Sequence, residues 1–349
     1  MTGDLETLFG IDAPIVLGPF GGMSSIPLTA SISEAGGLGS FGLYGYPGER
    51  IRETAAALRA ATGRPFALNL WLPTGDEVEP GDTDLARARA AIAPLLGAAG
   101  VAPPPLPESF LPPLDEQLDA VWDAAPAVLS VVFGVPAAET VAEAHRRGIR
   151  VVGTATSVAE AVALAAGGVD AIVASGAEAA GHRVSFLRRA EESLVGTVAL
   201  VPQVVDAVDV PVIAAGGIAD RRGVAAAFAL GAAGVQVGSA FLRTRQSAAS
   251  EAHRTALRAA ADTDTVLTRA MSGRLARGIP NRAVRAIEEA DAVAPFPAQN
   301  WLTAAFRAAA PNDADLISMW AGQAAGLSRS EDAEEVFAEL AAGIPARPH

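Results

Sequence analysis

The stretch Val169-Asp170-Ala171-Ile172-Val173-Ala174-Ser175-Gly176-Ala177-Glu178-Ala179-Ala180-Gly181-His182 decides how the chain is read. It opens as an apolar run with β-branched Ile172 and Val173, bounded by Gly167-Gly168 and by Ser175-Gly176, which is the pattern of a buried strand. A loop of small residues follows and ends on a histidine. Small residues let a bulky planar group lie against backbone, and an imidazole at a strand's C-terminal end is placed for acid/base work near neutral pH. The other reading is a loop histidine that only bonds a nearby carbonyl.

Outward from this stretch, strands and helices alternate in both directions. Upstream, strands are expected over residues 14–20, 39–42, 66–72, 128–133 and 149–154, with helices over 24–35, 48–62 and 137–147. Ser157 with Glu160 three residues later has capping-box spacing for another helix. Downstream, strands are expected over 210–215 and 234–241. Eight strands with intervening helices predict an α/β fold, a (β/α)8 TIM barrel rather than an open doubly wound sheet. The barrel occupies 1–261, with 74–126 as an insertion after strand three. That insertion carries helices near 84–96 and 114–124 around a tract with prolines at 103, 104, 105, 107, 112 and 113. Residues 262–349 form a mostly helical C-terminal extension expected to cover the barrel mouth.

Composition removes several chemistries. The chain of 349 residues has no cysteine, so it has no thiolate nucleophile and no disulfide. All 26 basic residues are arginine, which excludes Schiff-base catalysis, a pyridoxal anchor and the lysine of a P-loop. A net charge of −13 without basic clusters argues against nucleic acid as a partner. Half of the residues are apolar, but charges such as Glu160 and Asp170 break the runs, and no stretch resembles a membrane span. No basic residue precedes Arg50, so a secretory signal is not supported and a cytoplasmic location is expected.

The strand ends form a set where barrel ligands bind: Gly21-Gly22, Gly42, Asn69, Gly134, Thr154, Ser175-Gly176, Gly216-Gly217 and Gly238-Ser239. Asn69 is a polar amide inside an apolar run and needs a partner there. Barrel phosphate sites use the loops after strands seven and eight, and here both are glycine-rich, so backbone N–H groups can converge on phosphate oxygens without a lysine. Arg222 or Arg243 would add charge there unless each is simply solvated. Of the four histidines only His182 reaches this end. His145 precedes strand five on the opposite face, His253 lies in a late helix, and His349 is terminal. Glu178 either orients the imidazole or binds loop amides.

These residues resemble the nitronate monooxygenases, formerly called 2-nitropropane dioxygenases. Residues 174–183 are similar to the family's Gln-Gly-x-Glu-Ala-Gly-Gly-His motif, Ala214-Ala215-Gly216-Gly217-Ile218-Ala219-Asp220-Arg221-Arg222-Gly223 to its seventh-strand motif, and 234–242 to its phosphate loop. Ala35-Gly36-Gly37-Leu38-Gly39, Ser272-Gly273-Arg274 with Asn281-Arg282, and Trp320-Ala321-Gly322-Gln323 extend the match toward both ends. The resemblance implies FMN held non-covalently at the top of the barrel. Gly21 and Gly22 would back the ring, Asn69 and Ser175 would face the flavin and ribityl chain, and Ala180 and Gly181 would approach it closely. Gly216, Gly217, Gln236, Val237, Gly238 and Ser239 would hold the phosphate.

His182 falls on the position of the family's catalytic base, with no metal involved. The implied reaction takes an alkyl nitronate or nitroalkane and O2 to a carbonyl compound and nitrite. With His182 as base, turnover of neutral nitroalkanes is expected to fall below a pKa near ~6.5, as shifted by its surroundings. The chain departs from the pattern at Ser175 (usually Gln), Ala180 (usually Gly), Val184 (usually Gly) and Pro19-Phe20-Gly21. Leu43-Tyr44-Gly45-Tyr46-Pro47 holds both tyrosines, which either bind substrate or pack the loop. Two other functions stay open at this point. One is an NAD(P)H-dependent flavin reductase acting on quinones or enoyl thioesters; the other is a flavin-binding accessory protein with low turnover.

Overall fold

Eight parallel strands form a ring in the computed structural model, which describes residues 4–346. The strands of the chain are β1 (Ile15–Leu17), β2 (Gly39–Gly42), β3 (Phe66–Trp71), β4 (Val128–Val132), β5 (Arg150–Ala155), β6 (Ala171–Ser175), β7 (Gly181–His182), β8 (Val212–Ala215), β9 (Gly234–Val237), β10 (Val266–Thr268) and β11 (Ala276–Gly278). Around the ring the order is β1-β9-β8-β6-β5-β4-β3-β2. Leu38, just before β2, closes it: Leu38 N–H donates to Ile15 O and Leu17 N–H to Leu38 O, each at 2.9 Å. The expected (β/α)8 TIM barrel is therefore the observed one.

The helices are α1 (Leu5–Phe9), α2 (Ile26–Glu34), α3 (Gly48–Ala61), α4 (Ala86–Ala98), α5 (Leu114–Ala124), α6 (Ala138–Arg146), α7 (Val158–Ala166), α8 (Thr197–Ala207), α9 (Arg221–Ala229), α10 (Ser239–Leu242), α11 (Glu251–Ala259), α12 (Arg282–Glu289), α13 (Ala298–Ala309) and α14 (Ala333–Ala341). Period-two alternation divides each barrel strand between two cores. Val152, Ala171, Val173 and Ile213 point into the barrel and pack with Leu5 and Phe9 of α1, which plugs its N-terminal end. Val151, Ile172, Ala174 and Val212 point outward into the layer shared with the surrounding helices.

Two helices between β3 and β4 have different homes. α5 packs on α3 in the barrel's outer layer, whereas α4 packs against α12 and α13. Leu85, Ile92 and Leu95 join Val284, Leu302 and Phe306 in a separate apolar cluster at the mouth. The C-terminal extension is not purely helical. Its β10 and β11 form an antiparallel ribbon, and β11 pairs with β7, placing Ala276 opposite His182. The last barrel strand is also shorter than the apolar run suggested: β9 stops at Val237 and Ser239–Leu242 is helix. An apolar run alone does not separate strand from buried helix. Among the described residues no helix is long and apolar enough to cross a membrane.

Candidate functional site

A cavity of about 310 Å³ opens at the C-terminal ends of the barrel strands, within the range for small-ligand sites. Gly21, Gly22, Asn69, Ser175, Ala180, Gly181, Gly216, Gly217, Gln236, Gly238 and Ser239 line it, as does His182. Val237 does not. Its side chain is fully buried in the outer apolar layer, because residues 236 and 238 face one side of the strand and 237 the other. Asn69 is buried and donates from Nδ2 to Ser130 Oγ at 2.9 Å.

The two glycine loops differ in how they are held. Thr197 Oγ1 donates to Gly216 O at 2.9 Å, while Thr197 N–H donates to both Glu178 carboxylate oxygens at 3.0 Å. Glu178 thus binds a backbone amide and fastens the β6 loop to the start of α8. Gly176 is required there, since a Cβ would overlap Thr197 Oγ1 and lie 2.6 Å from Thr197 N. Across the site, α10 begins at Gly238 with no side chain bonded to its first turn, unlike α2, α7 and α9 with their Ser25, Ser157 and Asp220 caps. The N–H groups of Phe241 and Leu242 turn to Gly238 O at 2.9 and 3.0 Å, which leaves those of Ser239 and Ala240 to face an anion. A Cβ on Gly238 would meet only the Phe20 ring, at 3.7 Å, so the space in front of it belongs to the cavity.

Neither arginine considered for the phosphate lines this cavity. Arg222 is paired with Asp220 at the surface, and Arg243 is buried, bonding the carbonyl of Ser328. The capping box is also incomplete. Ser157 Oγ accepts from Glu160 N at 3.3 Å, but the buried Glu160 carboxylate turns to Thr156 N–H at 2.7 Å and Phe186 N–H at 2.7 Å.

His182 is enclosed by groups distant in sequence. The Trp71 ring meets it edge-on at 4.8 Å and Trp320 lies at 5.4 Å. Its Nε2 lies 2.8 Å from Ser272 Oγ. Arg274, whose guanidinium sits over Phe133 at 4.5 Å and Phe296 at 4.0 Å, also ties down Thr74, Asp76 and Glu77. Burial, with Arg274 and then Arg307 adding like charge, pushes the His182 pKa down to about 3. The surroundings thus shift the ring well below its ordinary value near 6.5, and it is neutral across the physiological range. Trp71, Trp320, Arg274 and Arg307 were not singled out from the sequence as site residues.

The other histidines lie elsewhere. His145 bonds Asp170 at 2.8 Å at the barrel's far end. His253 is buried with Nε2 3.0 Å from Trp320 O, and burial pushes its pKa down to about 4. His349 lies outside the described residues. The two tyrosines separate: Tyr46 packs under Arg50, 3.8 Å from its ring, whereas Tyr44 lines the cavity. Among the described residues no acidic and histidine side chains cluster as metal ligands.

Residues 3–343 match the nitronate monooxygenase family. The chain belongs to that family. A probable nitronate monooxygenase of Staphylococcus aureus (strain Newman) is 37% identical over 340 residues, covering 96% of this chain and 95% of that protein. Among solved structures, a nitroalkane oxidase from Streptomyces ansochromogenes aligns with a TM-score of 0.85 at 34% identity, over 97% of this chain and 96% of the other. FabK from Thermotoga maritima aligns with a TM-score of 0.75 at 28% identity, over 97% and 95%. Membership in the nitronate monooxygenase family makes the protein an oxidoreductase.

Proposed function

We propose that the protein binds FMN non-covalently in this cavity and oxidises alkyl nitronates with O2 to a carbonyl compound and nitrite. The observation that carries the reading is a neutral imidazole, held in the field of two arginines, in the same cavity as an open helix N-terminus. The residues present fit the cofactor. Bare backbone at Gly217 and Gly238, with the uncapped first turn of α10, suits a phosphate. Gly21, Gly22, Asn69, Ser175, Ala180, Gly181, Gly216, Gln236 and Ser239 line the remainder of its bed. Val237 lies between Gln236 and Gly238 with its side chain turned away, so it could contribute through backbone alone.

FMN, when bound, supplies the electron-accepting chemistry and the reaction with O2. The protein's residues bind, orient and hold the proton. Arg307, which lines the cavity and pairs with no carboxylate among the described residues, favours an anionic substrate, which a nitronate is. His182, neutral and packed between Trp71 and Trp320, accepts the carbon-bound proton when a neutral nitroalkane is offered instead. Anaerobic titration with a nitronate while recording the visible spectrum tests the reading: the flavin bands should bleach, and denaturation should release FMN. Release of FAD, or bleaching by NADH but not by nitronate, would reject it.

A further inference from the structure

The hydrogen bonds around Tyr44 have a fixed direction. Arg307 Nη2 donates to Asn300 Oδ1 at 2.8 Å and to Asn300 O at 2.9 Å. A guanidinium has no acceptor, so the amide oxygen of Asn300 must face Arg307 and its nitrogen must face away. That nitrogen donates to Tyr44 Oη at 3.1 Å. The phenol oxygen is thereby an acceptor in this chain, and among the described residues nothing accepts its own proton. Burial pushes the Tyr44 pKa up to about 12, so the proton stays on. Nε of Arg307, also buried, has no partner either. In this part of the cavity the Tyr44 hydroxyl is therefore a donor without an acceptor.

Tyr44 also stands close to the chemistry. Its ring lies 4.3 Å from Trp71, and the Trp71 ring in turn meets the His182 ring at 4.8 Å. In a nitronate the carbon and the two oxygens are separated by a single nitrogen, so the group acting on carbon and the group binding oxygen must share one small chamber. We infer that Tyr44, oriented by the Arg307–Asn300 pair, donates a hydrogen bond to an oxygen of the substrate's nitro group and sets affinity for nitro compounds. The inference rests on the nitronate reading above. It assigns to this chain's tyrosine a role that its departure from the family motif at residues 43–47 left open.

Tyr44→Phe removes the donor and keeps the ring. The KM for a nitronate should rise about tenfold or more, since a hydrogen bond to a charged acceptor is lost, with kcat affected less. The inhibition constant of 2-methyl-2-nitropropane, which has no proton to lose beside its nitro group, should rise severalfold. FMN content, visible spectrum and melting temperature should not change. Asn300→Asp is the second variant. Its carboxylate keeps the pairing with Arg307 but accepts the Tyr44 proton, so the same rise should appear with the phenol still present.

Unchanged KM and inhibition constants in both variants would overturn the inference. So would a displaced flavin spectrum or lost FMN in Tyr44→Phe, which would mean that the hydroxyl serves the cofactor. A wild-type protein that turns over nitronates while Tyr44→Phe behaves normally rejects Tyr44 alone. A wild-type protein that neither oxidises nitronates nor binds the inert nitro compound rejects the functional reading as well.

Discussion

Lowering the pH reads His182 most directly. An imidazole at its ordinary pKa of about 6.5 is neutral in only about 3% of molecules at pH 5, whereas one at about 3 is neutral in about 99%. The form that accepts a proton is the neutral one, so a depressed pKa keeps the base available to lower pH. With the nitroalkane supplied free of its nitronate, kcat/KM should change by less than about twofold between pH 7.5 and 5, where an unperturbed base would lose about 30-fold. Arg274→Gln removes one of the two like charges and should move the acid limb upward in pH. Direct titration of the imidazole by NMR supplies the second measurement. A wild-type inflection near pH 6.5 by either method would refute the reasoning.

The same shift has a stability consequence with a definite sign. Between about pH 3 and 6.5 the unfolded chain binds a proton at His182 that the folded protein refuses, so stability falls as pH falls through that window. At pH 5 the loss is about 2 kcal/mol, and above pH 6.5 it disappears. His182→Asn should remove this component of acid sensitivity, as read from denaturant midpoints at pH 7.5 and 5.

Further outcomes follow from single positions. His182→Asn should abolish turnover of neutral nitroalkanes and largely spare the matching nitronates; an equal loss on both would show that the ring mainly binds the nitro group. Gly238→Leu should fill the space before the first turn of α10 and give a folded, colourless protein, checked by absorbance and by melting temperature. Ala180→Gly should keep its flavin and change substrate preference, measured as kcat/KM over a series of nitronates; loss of flavin in a folded variant would make Ala180 a cofactor determinant. Gly176→Ala should cost about 1–3 kcal/mol in a denaturant melt, because its methyl overlaps Thr197 Oγ1.

The barrel was legible because each strand is a short apolar run that ends on small or polar residues, and because those ends recur at regular spacing. His182 was legible for the same reason: it closes the loop after β6. One misreading had a local cause: the run Ala240-Phe241-Leu242 is apolar whether strand or helix, so the end of β9 was overextended. Strand alternation turns the Val237 side chain away from the face of Gln236 and Gly238, so only its backbone could serve a phosphate. Trp71, Ser272, Arg274, Arg307 and Trp320 converge on one ring from distant segments, and no local periodicity marks them. The pKa of His182 depends on those neighbours, so it could not be read before the fold.

The electrostatics of this ring also order the substrates. To take a proton from a neutral nitroalkane, His182 must become an imidazolium in a buried site, with Arg274 and Arg307 adding like charge, the change that its depressed pKa disfavours. The nitronate formed in that step offsets part of the cost, because its negative charge stays in the same chamber. A nitronate that arrives already ionised brings the compensating charge and asks for no proton transfer. Its oxygens would also meet the hydroxyl of Tyr44, whose oxygen already accepts from Asn300 and whose proton is left to donate. On the proposed function the nitronate is therefore favoured twice, once through the field around His182 and once through the hydrogen-bond donor at Tyr44. A neutral nitroalkane gains the second contribution in weaker form and bears the part of the first that its own nitronate does not offset.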